Sequence, residues 1–165
     1  MATQGTAAVI TRLFTWWHRL SPLPGGRWLF SKLIGVFVPY TGSIKTRIVT
    51  LEPGHVVCEL RDRRRVRNHL NSIHAIALAN LGEITSGLAQ MSTLAPGQRG
   101  IVTRLSIDYF KKARGTLRAE SMAQAPVANK DKDVELEVTC DIRDSEGDAV
   151  ARTAVCWRIG PEPGA

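Results

Sequence analysis

The chain has 165 residues, enough for one domain with its own core and no need of disulfide or metal staples. A hydrophobic share of 44% beside 22% charged residues excludes a chain disordered throughout. Twenty-two Lys and Arg against fifteen acids leave a formal charge of +7, which favours anionic partners: nucleic acid, anionic lipid or a phosphate-bearing cofactor such as coenzyme A.

Val9, Ile10, Leu13, Phe14, Trp17 and Leu20 recur at steps of three and four, which predicts an amphipathic helix. Ser21-Pro22-Leu23-Pro24-Gly25-Gly26 breaks it, and a second helix follows from Arg27 to about Val38, ended by Pro39. The apolar run Trp28–Tyr40 is short and interrupted by Lys32, so it is not expected to span a bilayer. No secretory leader is visible, and a cytoplasmic location is expected. Trp16, Trp17 and Trp28 would suit helices lying in a lipid interface. The favoured expectation is that both helices pack on the domain or cover an acyl channel.

From Gly42 the period changes to two. Ile44, Thr46 and Ile48 alternate with Lys45, Arg47 and Val49 as in a strand, Glu52-Pro53-Gly54 turns the chain, and Val56–Leu60 pairs back as a hairpin. A basic stretch, Arg61–Arg67, leads into a long helix over residues 72–93, capped by Asn71 or Ser72 and stopped before Pro96-Gly97. Ile73, Ala77, Leu81, Ile84, Leu88 and Met91 form its apolar stripe.

Four strands complete the chain. Ile101, Thr103, Leu105, Ile107 and Tyr109 alternate along the first, Gly115–Ala123 forms the second, and Val134–Ile142 the third. The turn Asp144–Asp148 returns the chain into Ala149–Ile159, with Ala151, Thr153, Val155 and Trp157 on one face. One long helix among antiparallel strands predicts an α+β domain whose sheet curls round that helix, with edges that dimerisation would cover. Cys58, Cys140 and Cys156 are odd in number and lack a CxxC, which argues against a disulfide framework or a zinc site. They read as small buried hydrophobes of a reducing compartment.

With Asn68 before the long helix, His74 at its start and Glu83 nine residues on, this order resembles the hotdog thioesterase superfamily. It is most similar to the small PaaI-like acyl-CoA thioesterases and the DUF4442 group. The resemblance covers residues 42–159 and implies a hotdog domain over 42–160, preceded by a helical extension over 1–41. It departs from the pattern in two places: the His-Gly-Gly step reads His74-Ala75-Ile76, and the acid is Glu in place of the more frequent Asp. The resemblance further implies a homodimer or dimer of dimers in which Asn68 and Glu83 meet across the interface. An acyl-CoA or other acyl thioester would be the substrate, with coenzyme A entering as part of it and no other cofactor or metal.

The chemistry can be argued from the residues as well. Thioester hydrolysis needs an oxyanion stabiliser and a base or nucleophile beside the carbonyl. A helix start offers unpaired N–H groups and partial positive charge, here at Ser72, His74 and Ala75. Glu83 would activate water or attack directly, and Asn68 would position water or carbonyl. Glu83 stands about 115° from the centre of the apolar stripe. Its flank of Ala79, Gly82, Ser86 and Gly87 is small, leaving room for a substrate or a partner chain.

Alternatives accompany each residue. Glu83 can be a solvated helix acid, His74 a loop-orienting residue, and Asn68 an ordinary loop cap. His69, fourteen residues before Glu83, opens a hydroxyacyl dehydratase variant, although the Pro-rich surroundings of those enzymes are missing. Lys111, Lys112 and Arg114, or the arginines of 61–67, would bind the phosphates of coenzyme A. Nucleic-acid binding is disfavoured because aromatics are not interleaved with the basic runs. A non-catalytic acyl- or lipid-binding module on the same fold is the alternative function.

Overall fold

The computed structural model describes residues 6–126 and 133–162. Its elements run α1 (Thr6–Leu20), α2 (Gly26–Phe37), α3 (Pro39–Ser43), β1 (Arg47–Glu52), β2 (His55–Leu60), a 3₁₀ turn at Arg64–Val66, α4 (Ala75–Met91), β3 (Gln98–Tyr109), β4 (Leu117–Met122), β5 (Val134–Arg143) and β6 (Ala149–Pro161). The first five residues of the expected extension lie outside the described residues.

Six strands form one sheet in the order β1-β2-β4-β5-β6-β3, every neighbour antiparallel. The sheet curls so that α4 meets all six strands. This is the expected α+β plan, and it explains why α4 has no solvated side of ordinary width. Leu78, Asn80, Thr85, Ser86, Ala89 and Gln90 are buried together with the stripe residues Ile73, Ala77, Leu81, Ile84 and Leu88. Thr85 and Ser86 satisfy their hydroxyls by donating to the carbonyls of Leu81 and Gly82, so these polar residues enter the core without orphaned donors.

Three local expectations are corrected. Helix α4 begins at Ala75, not at residue 72, and its N-cap is His74 and neither Asn71 nor Ser72. The His74 Nδ1 accepts from the Ile76 N–H, while the residues before it are held in a loop: Asn71 takes a positive φ of 53°, and Ile73 N–H donates to the carbonyl of Ala113. The strand expected from Ile44 starts at Arg47, because Pro39–Ser43 forms an extra helical turn and Lys45 takes a φ of 51°. Finally, a bulge between Val102 and Arg104 shifts the register of β3 against β6. Val102 and Ile107 both pack inward across this bulge, which puts Ile101 on the outer face instead of in the alternation expected for it.

The N-terminal helices join the main core. Trp17 and Phe30 are buried and meet edge-to-face with ring centroids 5.1 Å apart, and both belong to the apolar cluster that includes Leu81 and Ile142. Helix α2 lies along β1, where the Ser31 hydroxyl accepts from the Ile48 N–H. No helix among the described residues is long and apolar enough to cross a membrane.

Candidate active site

Glu83 lies on the third turn of α4 and is half-buried. Burial alone raises its pKa, and among the described residues no cation or donor meets the carboxylate. A Cβ at Gly87 would lie 3.3 Å from the Trp157 ring and 3.8 Å from Glu83 Oε1, so carboxylate and indole share the space over that glycine. The small flank was expected to leave room for a substrate or a partner chain. Instead Thr153 fills the place over Gly82 and Trp157 the place over Gly87, so the glycines let α4 close on β6. The indole N–H of Trp157 and the hydroxyl of Thr153 are both buried without a partner among the described residues.

At the start of α4 the loop is organised by Asn68. Its Oδ1 accepts from the N–H of Leu70 and from both the N–H and the hydroxyl of Ser72. Ser72 is buried and His69 is exposed. Ile76 N–H is taken by the His74 ring and Ala77 N–H by the His74 carbonyl, whereas the Ala75 N–H meets no acceptor among the described residues. That amide is the one free donor of the first turn beside the helix dipole. Sequence reasoning missed two residues that hold this end in place. Asp62 accepts from Arg67 Nε at 2.6 Å and from the Gly115 N–H at 3.2 Å, ion pairing that keeps its carboxyl below the usual range. Tyr109 donates its hydroxyl to the Ala75 carbonyl at 3.3 Å. The Gly115 and Tyr109 contacts join residues 53 and 34 positions apart and have no local signature.

Within one chain these two parts stay separate. Glu83 follows Ala75 by eight residues, about 12 Å along a helix axis, so a single carbonyl cannot touch both.

Two cavities flank α3. One of about 400 Å³ is lined mainly by Trp28, Ile34, Val36 and Ile48, with Ile84 of α4 as its floor and Lys32 and Lys45 at its side. The other, about 530 Å³, lies at the start of α4 between Tyr40, His74, Ile76 and Ala77, and Lys45, Arg65 and Arg67 line it. Asn80 closes its base: Nδ2 donates to the Tyr40 carbonyl at 3.4 Å, and Oδ1 is buried without a partner. Glu83 lines neither cavity.

Of the proposed phosphate ligands, Lys111 sits between Asp144 at 2.6 Å and Asp148 at 2.7 Å, which neutralise its charge. Lys112 and Arg114 are exposed beside it. The carboxylates of Asp144, Glu146 and Asp148 gather in the β5–β6 turn, where Asp144 accepts from the N–H groups of Glu146 and Asp148. Cys58 and Cys140 are buried as expected, and burial pushes the Cys58 thiol up to about 12. Cys156 departs from that reading: it is only partly buried, with Arg104 Nη2 and Glu137 Oε2 at 3.3 and 3.5 Å from its sulfur.

Comparison with known proteins places this geometry in context. The model of one sequence family, Domain of unknown function (DUF4442), matches residues 26–159. A structural-genomics target, APC5556, is 26% identical with a TM-score of 0.78, covering 93% of this chain and 99% of that one. A Pseudomonas aeruginosa protein of unknown function, described as a probable thioesterase, is 23% identical with a TM-score of 0.69, covering 85% and 97%. A Haemophilus influenzae thioesterase is 14% identical with a TM-score of 0.63, covering 76% and 87%. No curated protein sequence matches. The likeness across these structures is that of the hotdog fold.

Proposed function

Because the chain belongs to the DUF4442 family and carries the hotdog fold, we propose that it hydrolyses acyl thioesters, with Glu83 as the base or nucleophile. The observation that carries this reading is the Glu83 carboxylate itself, half-buried on the central helix with no described partner to offset its desolvation. A stabilising fold has little use for such a group, whereas a base needs a raised pKa and a free lone pair. Solved structures of the same fold described as thioesterases support the reaction class.

The oxyanion would be met by the Ala75 N–H at the start of α4, with Asn68 setting the loop around it. Since the two ends of the site are about 12 Å apart in one chain, the working unit is a homodimer in which Glu83 of one subunit faces the helix start of the other. The apolar cavity floored by Ile84 fits an acyl chain, and the cavity beside it, with Arg65 and Lys45, fits the phosphates of coenzyme A better than the neutralised Lys111 does.

A second reading, acyl binding without turnover, is favoured by one observation: the apolar cavity is complete without Glu83. Free-thiol release from acyl-CoAs of short to long chain separates the two. Hydrolysis that falls by a factor on the order of a hundred to ten thousand in Glu83→Gln supports the proposal. Binding of acyl-CoA with no thiol released at any chain length leaves the binding module. Loss of activity in His69→Ala with Glu83→Gln unaffected would overturn the role of Glu83 and turn attention to the dehydratase variant.

A further inference from the structure

The positive charge of this protein is concentrated at one end. Arg12, Arg19, Arg27, Lys32, Lys45 and Arg47 all precede Glu52, the first acid of the chain. The other sixteen Lys and Arg nearly balance the fifteen acids. Arg47 meets Glu59 at 3.5 Å.

The same segment exposes large apolar side chains that the core does not use. Phe30 and Trp17 face inward, but Trp16 and Trp28 are exposed, and Val36, Phe37 and Tyr40 are 74%, 72% and 70% exposed. On α1, Val9, Arg12, Trp16 and Arg19 follow one another at helical spacing along the solvent side. On α2, Trp28, Leu29, Lys32 and Val36 do the same, with Lys32 Nζ 4.0 Å from the Trp28 ring centre. Cations and aromatics therefore share outer faces that a soluble surface would fill with polar residues of both signs.

We propose that the outer faces of α1, α2 and α3 dock the protein on an anionic lipid bilayer, with the aromatic side chains entering the headgroup layer and the cations meeting lipid phosphates. The chemistry excludes a second copy on this face: an isologous contact would set two acid-free, cationic surfaces against each other. Nucleic acid would match the charge but leave Val36, Phe37 and Leu29 in water. A bilayer interface takes both, since Trp and Tyr suit its boundary and Lys and Arg its surface potential. The inference stands whether or not Glu83 is catalytic.

The test uses the full chain with vesicles of phosphatidylcholine alone and of an equimolar mixture with phosphatidylglycerol, read by co-sedimentation and Trp fluorescence. Trp17 and Trp157 are already buried, so a blue shift reports on Trp16 and Trp28. The expected result is binding to the anionic vesicles only, weakened by salt. Arg19→Glu with Arg27→Glu should weaken it at least twentyfold, at about fivefold for each cation removed. Trp16→Ser with Phe37→Ser should lower binding and leave only the smaller shift that Trp28 contributes, with the thermal midpoint unchanged. Should a charge-reversed variant fail to fold, the salt dependence of the wild type carries the same information. No binding to the anionic vesicles, or equal binding to both kinds, would overturn the proposal. So would a halving of solution mass in Phe37→Ser, which would assign this face to a second copy.

Discussion

Burial holds the Glu83 carboxyl above its ordinary range, and that has a sign in stability as well as in chemistry. The folded chain keeps its proton at pH values where the unfolded chain has lost it, so stability falls as pH rises through this window. Relative to Glu83→Gln, the wild type should lose stability once the pH passes 4.5, the ordinary value, and stop losing it above the raised folded value. Below 4.5 the gap between the two proteins should stop changing with pH. Denaturant melts across this range check the expectation, and a gap that does not vary with pH would refute it. Carboxyls whose pKa is lowered, Asp62 and Asp144, act in the opposite direction but are common to both proteins and cancel in the difference. The identity of Glu83 as the acid to watch was legible in its spacing from Asn68 and His74. Its lack of a partner among the described residues was not, because an absent contact is a property of the whole surrounding fold. The neutralised Lys111 gives the same lesson in reverse: its partners come from the β5–β6 turn, more than thirty residues on.

At the level of elements, periodicity found the hairpin, the central helix and all four later strands, since each shows one burial pattern to its neighbours. It failed where a tertiary contact decides the backbone. Helix α3 exists because α2 and α3 approach backbone to backbone at Gly35 and Gly42: a Cβ built on Gly42 would overlap the carbonyl of Gly35. Nothing within five residues of Gly42 announces a partner on the preceding helix. Gly42→Ala should therefore force the two helices apart and cost about 1–3 kcal/mol, read as a lower denaturation midpoint. An unchanged midpoint would show that α3 can shift without loss. The cap was missed for a related reason. Asn71 and Ser72 are better N-caps by type, but Asn68 and the Ala113 carbonyl have engaged the loop they stand in, leaving His74 to cap the helix.

At the level of the molecule, the separation of Glu83 from the start of α4 makes the proposed site divisible between subunits. Asn68→Ala and Glu83→Gln should each be inactive as homodimers. Unfolded together and refolded, they should recover about a quarter of wild-type activity, since half the dimers are mixed and each mixed dimer restores one of its two sites. No recovery, with mixed dimers present, would place both residues in one subunit's site.

The sheet order has a bearing on time. Strand β3 precedes β4 and β5 in the chain but bonds to neither; its ladder to β6 joins Gln98 to Pro161 and Tyr109 to Ala151. The flank of α4 over Gly82 and Gly87 is likewise covered by Thr153 and Trp157 of β6. On the ribosome, a chain that has delivered α4 and β3 thus waits for its last strand with a helix flank open and a strand edge unpaired. Strand β6 completes the sheet, and until it arrives the β3 edge and this flank of α4 are where a nascent chain is open to misassembly for longest.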